Sequence, residues 1–133
     1  MEMPKKKVLL IDDNTLLSGM VRHCLTARGH EVRTSHSGVD AVGHLFQEIP
    51  DTIVLDLLLP DCDGWFITRL LERLDQKQVP VIIVSVLDPD RREIGDLNVF
   101  AYIQKPFDME ELLETVERSL GNGDNSRRNQ CFA

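Results

Sequence analysis

Short apolar runs alternate with longer amphipathic stretches along this chain, and that alternation limits the folds it can adopt. Five runs have the apolar or β-branched character of strands, at 8–11, 31–34, 52–55, 81–84 and 100–104. The stretches that follow them carry apolar residues at helical spacing. Strands joined by crossover helices predict a parallel sheet with helices on both faces. The fold class is therefore predicted as α/β, a three-layer αβα sandwich of the (βα)5 type.

The predicted helices are amphipathic. Helical spacing assigns two sets of residues to the apolar faces of the first two helices: Leu17, Met20, Val21, Cys24 and Leu25, then Val42, Leu45, Phe46 and Ile49. Gly29 is predicted to close the first helix, and Ser37 is predicted to cap the second. We expect a third helix over 65–77, a short fourth helix from Pro89, and a last helix after Asp108.

The length of 133 residues fits one domain. We expect residues 1–120 to form it, and residues 121–133, which are polar and aperiodic, to be a disordered tail or the start of a linker. The tightest apolar runs are far shorter than the ~18 residues that a membrane helix requires. Asp12 and Asp13 interrupt the first run too early for a signal peptide, so we expect a cytoplasmic location without membrane contact.

The charge and the cysteines argue against two further functions, nucleic-acid binding and metal binding by cysteine. A formal net charge of −7, with short and scattered basic clusters, argues against direct binding to nucleic acid. The three cysteines lack the spacing of metal ligands and indicate free thiols. Asp61 and Asp63 are interpreted as solvated loop charges, and so are the four histidines, which also lack ligand spacing: His23, His30, His36 and His44.

Charged and hydroxyl side chains stand where four of the predicted strands end. Asp12 and Asp13 follow the first strand and Asp56 follows the third. Ser85 follows the fourth strand, and Lys105 follows the fifth. Because ligands bind at the carboxyl ends of strands in an open parallel sheet, these groups are predicted to share one rim. Two carboxylates ~4 Å apart repel by about 4 kcal/mol at an effective dielectric of about 20, so this cluster must hold protons or a cation.

Mg²⁺ fits such a cluster because it prefers oxygen ligands from a few carboxylates, with water completing the shell. The candidate ligands are Asp12, Asp13 and Asp56. A lysine and a hydroxyl across the rim, from Lys105 and Ser85, would bind phosphoryl oxygens. The arrangement therefore favours transfer of a phosphoryl group onto a carboxylate.

Four motifs stand at these strand ends in a characteristic order. They are Asp12-Asp13, the run from Asp56 through Pro60 to Gly64, Ser85, and Tyr102-Ile-Gln-Lys105-Pro106-Phe107. In this combination the chain resembles the receiver domain of bacterial two-component response regulators over residues 6–120. The resemblance implies a flavodoxin-like fold whose five-stranded parallel sheet has the order 2-1-3-4-5.

The resemblance also implies roles for the acids. Asp56 would be the phosphoacceptor and would take its phosphoryl group from a phosphohistidine. Asp13 would bind Mg²⁺ directly, together with Asp56 and the backbone carbonyl of Leu58, while Asp12 would act through water.

A second group of residues would report the phosphorylation. By the same resemblance, Lys105 pairs with the phosphoryl group and Ser85 moves inward to bond it. Tyr102 is the aromatic switch residue that follows. The peptide bond between Lys105 and Pro106 is usually cis in the family. The sequence departs from the family at Val86, where a small residue is usual.

The resemblance implies a signalling switch and not an enzyme, since the chain would take part only in its own phosphoryl transfer and autodephosphorylation. Its partners would be a sensor histidine kinase or a phosphotransfer protein, and an unidentified downstream target. A phosphorylation-dependent homodimer stays open. Leu16, at the edge of the first apolar stripe, is predicted to contact the kinase.

Other functions stay open on the same fold. A pseudo-receiver would be a protein-interaction module without phosphorylation, although Asp56 and Lys105 are both present. An aspartate-nucleophile phosphatase of the haloacid-dehalogenase type requires Asp-x-Asp after its first strand, whereas Asp12 and Asp13 are adjacent. A flavoprotein would need a phosphate loop rich in Ser and Thr after that strand, which this sequence lacks.

Overall fold

Five parallel strands form the centre of the structure, a computed structural model that describes residues 5–87 and 99–121. The strands are β1 (Lys7–Ile11), β2 (Glu31–Ser35), β3 (Thr52–Leu55), β4 (Val81–Ser85) and β5 (Ala101–Gln104). Their order across the sheet is β2-β1-β3-β4-β5, and every neighbouring pair is parallel. The predicted α/β fold and its strand order are confirmed.

Helices cover both faces of this sheet. In the described residues they are α1 (Thr15–Ala27), α2 (Gly38–Gln47), α3 (Trp65–Arg73) and α4 (Met109–Ser119). The side chains of Asn14, Ser37 and Asp108 accept hydrogen bonds from N–H groups of the first turns, so these three helix starts are capped. The helix predicted from Pro89, and residues 122–133 of the predicted tail, lie outside the described residues.

Three of the described helices end at a residue in the left-handed conformation, the third being α4, which Gly121 closes at φ 83°. Gly29, at φ 92°, closes α1 as predicted, and its N–H donates to the carbonyl of Thr26. Asp75, at φ 58°, closes α3 in the same way, and its N–H donates to the carbonyl of Glu72. A left-handed residue at this position ends a helix because it turns the chain back onto the last free carbonyls. The helix predicted over 65–77 is therefore too long.

The strands supply two hydrophobic cores because successive side chains point to opposite faces. Val8 and Leu10 belong to the core beneath α1 and α4, while Leu9 and Ile11 belong to the core beneath α2 and α3. All four are buried. Burial of a side chain of this size contributes about 1.5–3 kcal/mol to the free energy of unfolding. Because β1 is packed on both faces, its carboxyl end fixes the start of the loop that follows.

Two residues predicted on apolar helix faces are exposed instead. Met20 on α1 is 53% exposed, and Phe46 on α2 is 67% exposed. The buried face of α1 includes Ser18, and that of α2 includes Gly38 and Ala41. Small residues occupy part of each buried face, so each helix is rotated away from the orientation that the large apolar residues alone predict.

Two of the histidines that are predicted to be solvated are instead at least partly buried. His30 is buried, and its Nε2 lies 2.6 Å from Oε1 of Glu117 on α4. His44 is half-buried on α2, where its Nδ1 lies 2.6 Å from the hydroxyl of Ser35. Both rings therefore join a helix to the β2 region at one edge of the sheet.

Candidate functional site

Three aspartates meet at the carboxyl edge of the sheet. One carboxylate oxygen from each of Asp12, Asp13 and Asp56 lies within 4.8 Å of the others. Asp12 and Asp56 are buried, whereas Asp13 is exposed. The predicted acid cluster is thus present, with one face open to solvent.

Backbone contacts at the ends of β1 and β3 position these acids. The N–H of Asp56 donates to the carbonyl of Ile11 at 2.9 Å, which continues the β1–β3 ladder into the site. Oδ1 of Asp12 accepts from the N–H of Asn14 at 2.9 Å, and Oδ1 of Asp56 accepts from the N–H of Leu58 at 3.0 Å. Each buried carboxylate therefore has one oxygen held by its own loop.

Lys105 uses the second oxygen of each buried carboxylate. Its Nζ lies 2.9 Å from Oδ2 of Asp12 and 3.1 Å from Oδ2 of Asp56. Burial acts to lower the pKa of Lys105, but the hydrogen bonds to the two aspartates and the attraction of their negative charges together outweigh it and raise the pKa. The peptide bond to Pro106 is cis. The lysine is thus a charged ammonium held between the two acids.

The loop after Asp56 folds back on itself. Leu58 pairs with Asp63 in an antiparallel bridge, and the N–H of Gly64 donates to the carbonyl of Leu57 at 2.9 Å. A Cβ at Gly64 would lie 2.7 Å from the carbonyl oxygen of Asp56 and from Cα of Leu57, closer than real Cβ atoms approach backbone. Glycine is therefore required at position 64, because only its lack of a side chain lets the loop close beside Asp56.

The donor set fits a hard divalent cation. Three carboxylates supply oxygen atoms within 4.8 Å of one another, and oxygen ligands are those that Mg²⁺ prefers. One lysine leaves three carboxylates with an excess of two negative charges, which a divalent cation would neutralise. The exposed Asp13 provides the side from which the ion and its water would enter.

Ser85 ends β4, Tyr102 lies on β5, and the hydroxyls of both contact the backbone of Leu87. Ser85 is fully buried, and its hydroxyl accepts from the N–H of Leu87 at 3.4 Å. The Tyr102 hydroxyl donates to the carbonyl of Leu87 at 2.5 Å. The backbone of Ser85 does reach the site, since its carbonyl accepts from the N–H of Lys105 at 2.7 Å. Leu87 therefore joins the two predicted switch residues, a connection that the sequence motifs do not indicate.

Asp61 has a role that sequence reasoning missed. Its two carboxylate oxygens accept from the N–H groups of Gly38 and Val39 at 2.8 and 2.9 Å, at the start of α2. These two backbone hydrogen bonds hold the pKa of Asp61 below its ordinary value. Asp61 is an exposed loop charge, as predicted, but that interpretation omits these two hydrogen bonds. No local pattern indicates a contact between residues 22 or 23 positions apart.

Large apolar side chains are exposed around the site. Leu58 is 49% exposed, while Val86 and Leu87, which follow Ser85, are 55% and 43% exposed. Leu16, in the first turn of α1, is 76% exposed. Soluble proteins leave some apolar surface exposed, but four such residues beside a polar site favour contact with a partner.

A five-stranded sheet of this order with an acid cluster and a lysine at its carboxyl edge defines a class of signalling domain. Residues 8–117 match the response regulator receiver domain family. The chain belongs to that family, and the resemblance stated from its motifs is confirmed.

Curated relatives agree. Response regulators named MprA, from Mycobacterium avium and Mycobacterium tuberculosis, are each 31% identical over 116 residues. The match covers 86% of this chain and 50% of each relative, so the chain spans about half the length of the curated relatives it matches. It is thus similar to one part of those proteins.

Solved structures are similar over most of the chain. The chemotaxis protein CheY4 of Vibrio cholerae has a TM-score of 0.79 at 28% identity, covering 88% of this chain and 100% of that one. A receiver domain protein from Methanospirillum hungatei has a TM-score of 0.82 at 22% identity. The match covers 89% of this chain and 95% of that one, and it shows the fold alone.

Within residues 5–87 and 99–121, none of the helices has the length and apolar character needed to span a bilayer.

Proposed function

We propose that this chain is a phosphoryl-accepting signalling switch in which Asp56 takes a phosphoryl group from a phosphohistidine. The observation that carries the proposal is the position of the Lys105 ammonium, 2.9 Å from Asp12 and 3.1 Å from Asp56. Asp13 adds a third carboxylate to the same cluster. An acceptor carboxylate, a lysine and further acids at one rim are the groups that phosphoryl transfer to aspartate requires.

Each of these groups has a role in the phosphoryl transfer. Asp12, Asp13, Asp56 and the carbonyl of Leu58 would hold Mg²⁺, which when bound polarises phosphoryl oxygens. An Asp56 oxygen attacks the phosphorus, the P–N bond of the donor breaks, and its electron pair leaves with the imidazole. Lys105 binds the charged phosphoryl oxygens, and because its side chain is only 15% exposed, water screens this interaction little.

A route for the switch follows from the contacts of Leu87. Its N–H is bonded to the hydroxyl of Ser85, and its carbonyl is bonded to the hydroxyl of Tyr102. When Oγ of Ser85 moves toward a phosphoryl oxygen, it moves away from the N–H of Leu87, whose bond to it is already 3.4 Å long, and Leu87 can then move with Tyr102. Phosphorylation then shifts the population of two arrangements, because only one of them bonds the phosphoryl group.

The partners and the setting belong to the same proposal. A sensor histidine kinase or a phosphotransfer protein supplies the phosphoryl group in the cytoplasm, and the downstream target recognises the changed surface. The net charge of −7 favours a protein target over nucleic acid. The chain acts as a stoichiometric switch, since the phosphoryl group ends on its own side chain.

Incubation with a small acyl-phosphate donor tests this function. With Mg²⁺ present, intact mass should rise by one phosphoryl group, because the cation neutralises the acids that otherwise repel the donor. With a chelator in place of Mg²⁺ the gain should be lost. Failure of both the small donor and a panel of histidine kinases to load the protein would contradict the proposal and favour the interaction module.

Leu16 is expected to contact the kinase, because it is 76% exposed in the first turn of α1, three residues after Asp13. We expect Leu16→Asp to slow transfer from a kinase that loads the wild type by about tenfold, the effect of losing ~1.4 kcal/mol of contact. Loading from the small donor should not change. Phe46→Asp is the matched control, since Phe46 is similarly exposed on α2. An equal loss in both variants, or in neither, would contradict the contact.

A further inference from the structure

We propose that the turn formed by residues 36–39, the two-residue connection between β2 and α2 together with the first two residues of α2, is a brace that sets the distance between Asp13 and the Leu58 carbonyl. The inference rests on the proposed function, since both groups are assigned there to Mg²⁺. The turn contacts the loop that follows β1 and the loop that follows β3. Its His36 and its partner Asp61 would be positioning residues that never touch the ion.

The first contact of the brace fixes the Asp12–Asp13 peptide. Nδ1 of His36 lies 2.9 Å from the carbonyl oxygen of Asp12, and because that oxygen only accepts, the ring nitrogen carries the proton. The N–H of Asp12 donates to the carbonyl of Ser35 at 3.0 Å, so both sides of Asp12 are tied to the end of β2. The start of Asp13 is thereby held in place, although its carboxylate is exposed.

The second contact fixes the loop that carries Leu58. Asp61 lies at the tip of that loop and accepts from the N–H groups of Gly38 and Val39. The tip and the turn are in close contact, since a Cβ at Gly38 would clash with Sγ of Cys62. The bridge between Leu58 and Asp63 then transmits the position of the tip to the backbone of Leu58.

A simpler role for Asp61 is that of a second cap for α2. The structure offers a control that separates the two roles, because Ser37 also caps this helix. Its hydroxyl accepts from the N–H of Asp40 at 3.1 Å, a bond made at the start of α2 itself. Loss of either cap should destabilise α2, but only loss of Asp61 should release the loop of Leu58.

The experiment is a titration with Mg²⁺ alone. Binding is monitored by the NMR signals of the backbone amides of Asp13 and Leu58. Asp61→Ala should weaken Mg²⁺ binding by about tenfold, at the low end of the range for outer partners of metal ligands. Ser37→Ala should bind as the wild type does. Asp61→Asn should fall between them, because the amide keeps one accepting oxygen. Thermal unfolding of each variant shows that the compared proteins are folded.

The same spectra without Mg²⁺ test the brace independently of the metal. In Asp61→Ala the amide resonances of Leu58 should shift, and in His36→Ala those of Asp13 should shift, while Ser37→Ala leaves both in place. Equal effects of Asp61→Ala and Ser37→Ala, or no effect of Asp61→Ala in either spectrum, would overturn the brace. A wild type that does not bind Mg²⁺ would contradict the proposed function, and the metal-free spectra would still decide the brace.

Discussion

Asp56→Asn should abolish phosphorylation of this chain by acyl phosphates and by histidine kinases. The amide is nearly the same size and keeps an oxygen for the N–H of Leu58, now 3.0 Å from Oδ1, so the loop should stay folded. It has no second oxygen with the charge to attack phosphorus and to pair with Lys105. We expect loading to fall by at least about a thousandfold, since losing a nucleophile usually costs more than that. Intact mass after incubation with donor and Mg²⁺ is the measurement.

Asp63→Asn is the matched control for this experiment. Asp63 lies on the same loop, and its Oδ1 accepts from the N–H of Trp65 at 3.0 Å, a bond that asparagine can also make. The control should load as the wild type does. A phosphoryl group that persists in Asp56→Asn, and that peptide mapping places outside position 56, would show that another residue is the acceptor.

Much of the fold could be predicted because its cause is local. Strands buried on both faces are continuous apolar runs such as Val8 to Ile11, and this pattern needs no knowledge of distant residues. The rotation of the helices could not be predicted in the same way. Ser18 is buried because its hydroxyl reaches the carbonyl of Asp12, and a count of apolar residues gives no weight to such a contact. The apolar pattern therefore predicts the wrong face for Met20, which is exposed.

The residues of the candidate site also differ in whether the sequence alone predicts them. Asp12, Asp13, Asp56 and Lys105 could be predicted together because parallel strands deliver their carboxyl ends to one edge. The contacts of Asp61 and His36 could not, since each joins two loops that are close only after the sheet has formed. The residue types alone do not indicate these contacts, because aspartates and histidines in loops are usually solvated. The parts of a site that touch the reacting group are thus easier to predict than the parts that hold it in place.

The phosphorylated state should be long-lived, and Leu58 should be a main cause. Hydrolysis of an acyl phosphate needs a water in line with the phosphorus, which a polar side chain at the rim can orient. Here the exposed residues that follow Asp56 and Ser85 are apolar, with Leu58 at 49% and Leu87 at 43% exposure. We expect Leu58→Glu to speed loss of the phosphoryl group by about tenfold or more, since a positioned base contributes about 10²–10⁴-fold at best. Mass spectra taken over time after donor removal measure the rate.

Phe66→Glu separates this effect from a general one. Phe66 is 44% exposed in the first turn of α3, so the same substitution there adds the same charge at a similar exposure on another element. If the control decays as slowly as the wild type while Leu58→Glu decays faster, the apolar rim limits the water. A wild-type phosphoryl group that is lost within seconds, with no faster loss in Leu58→Glu, would mean that water reaches the phosphorus by a path the rim does not control. The contrast matters for function, because a slow switch holds its output after the kinase falls silent, whereas a fast one follows the kinase closely.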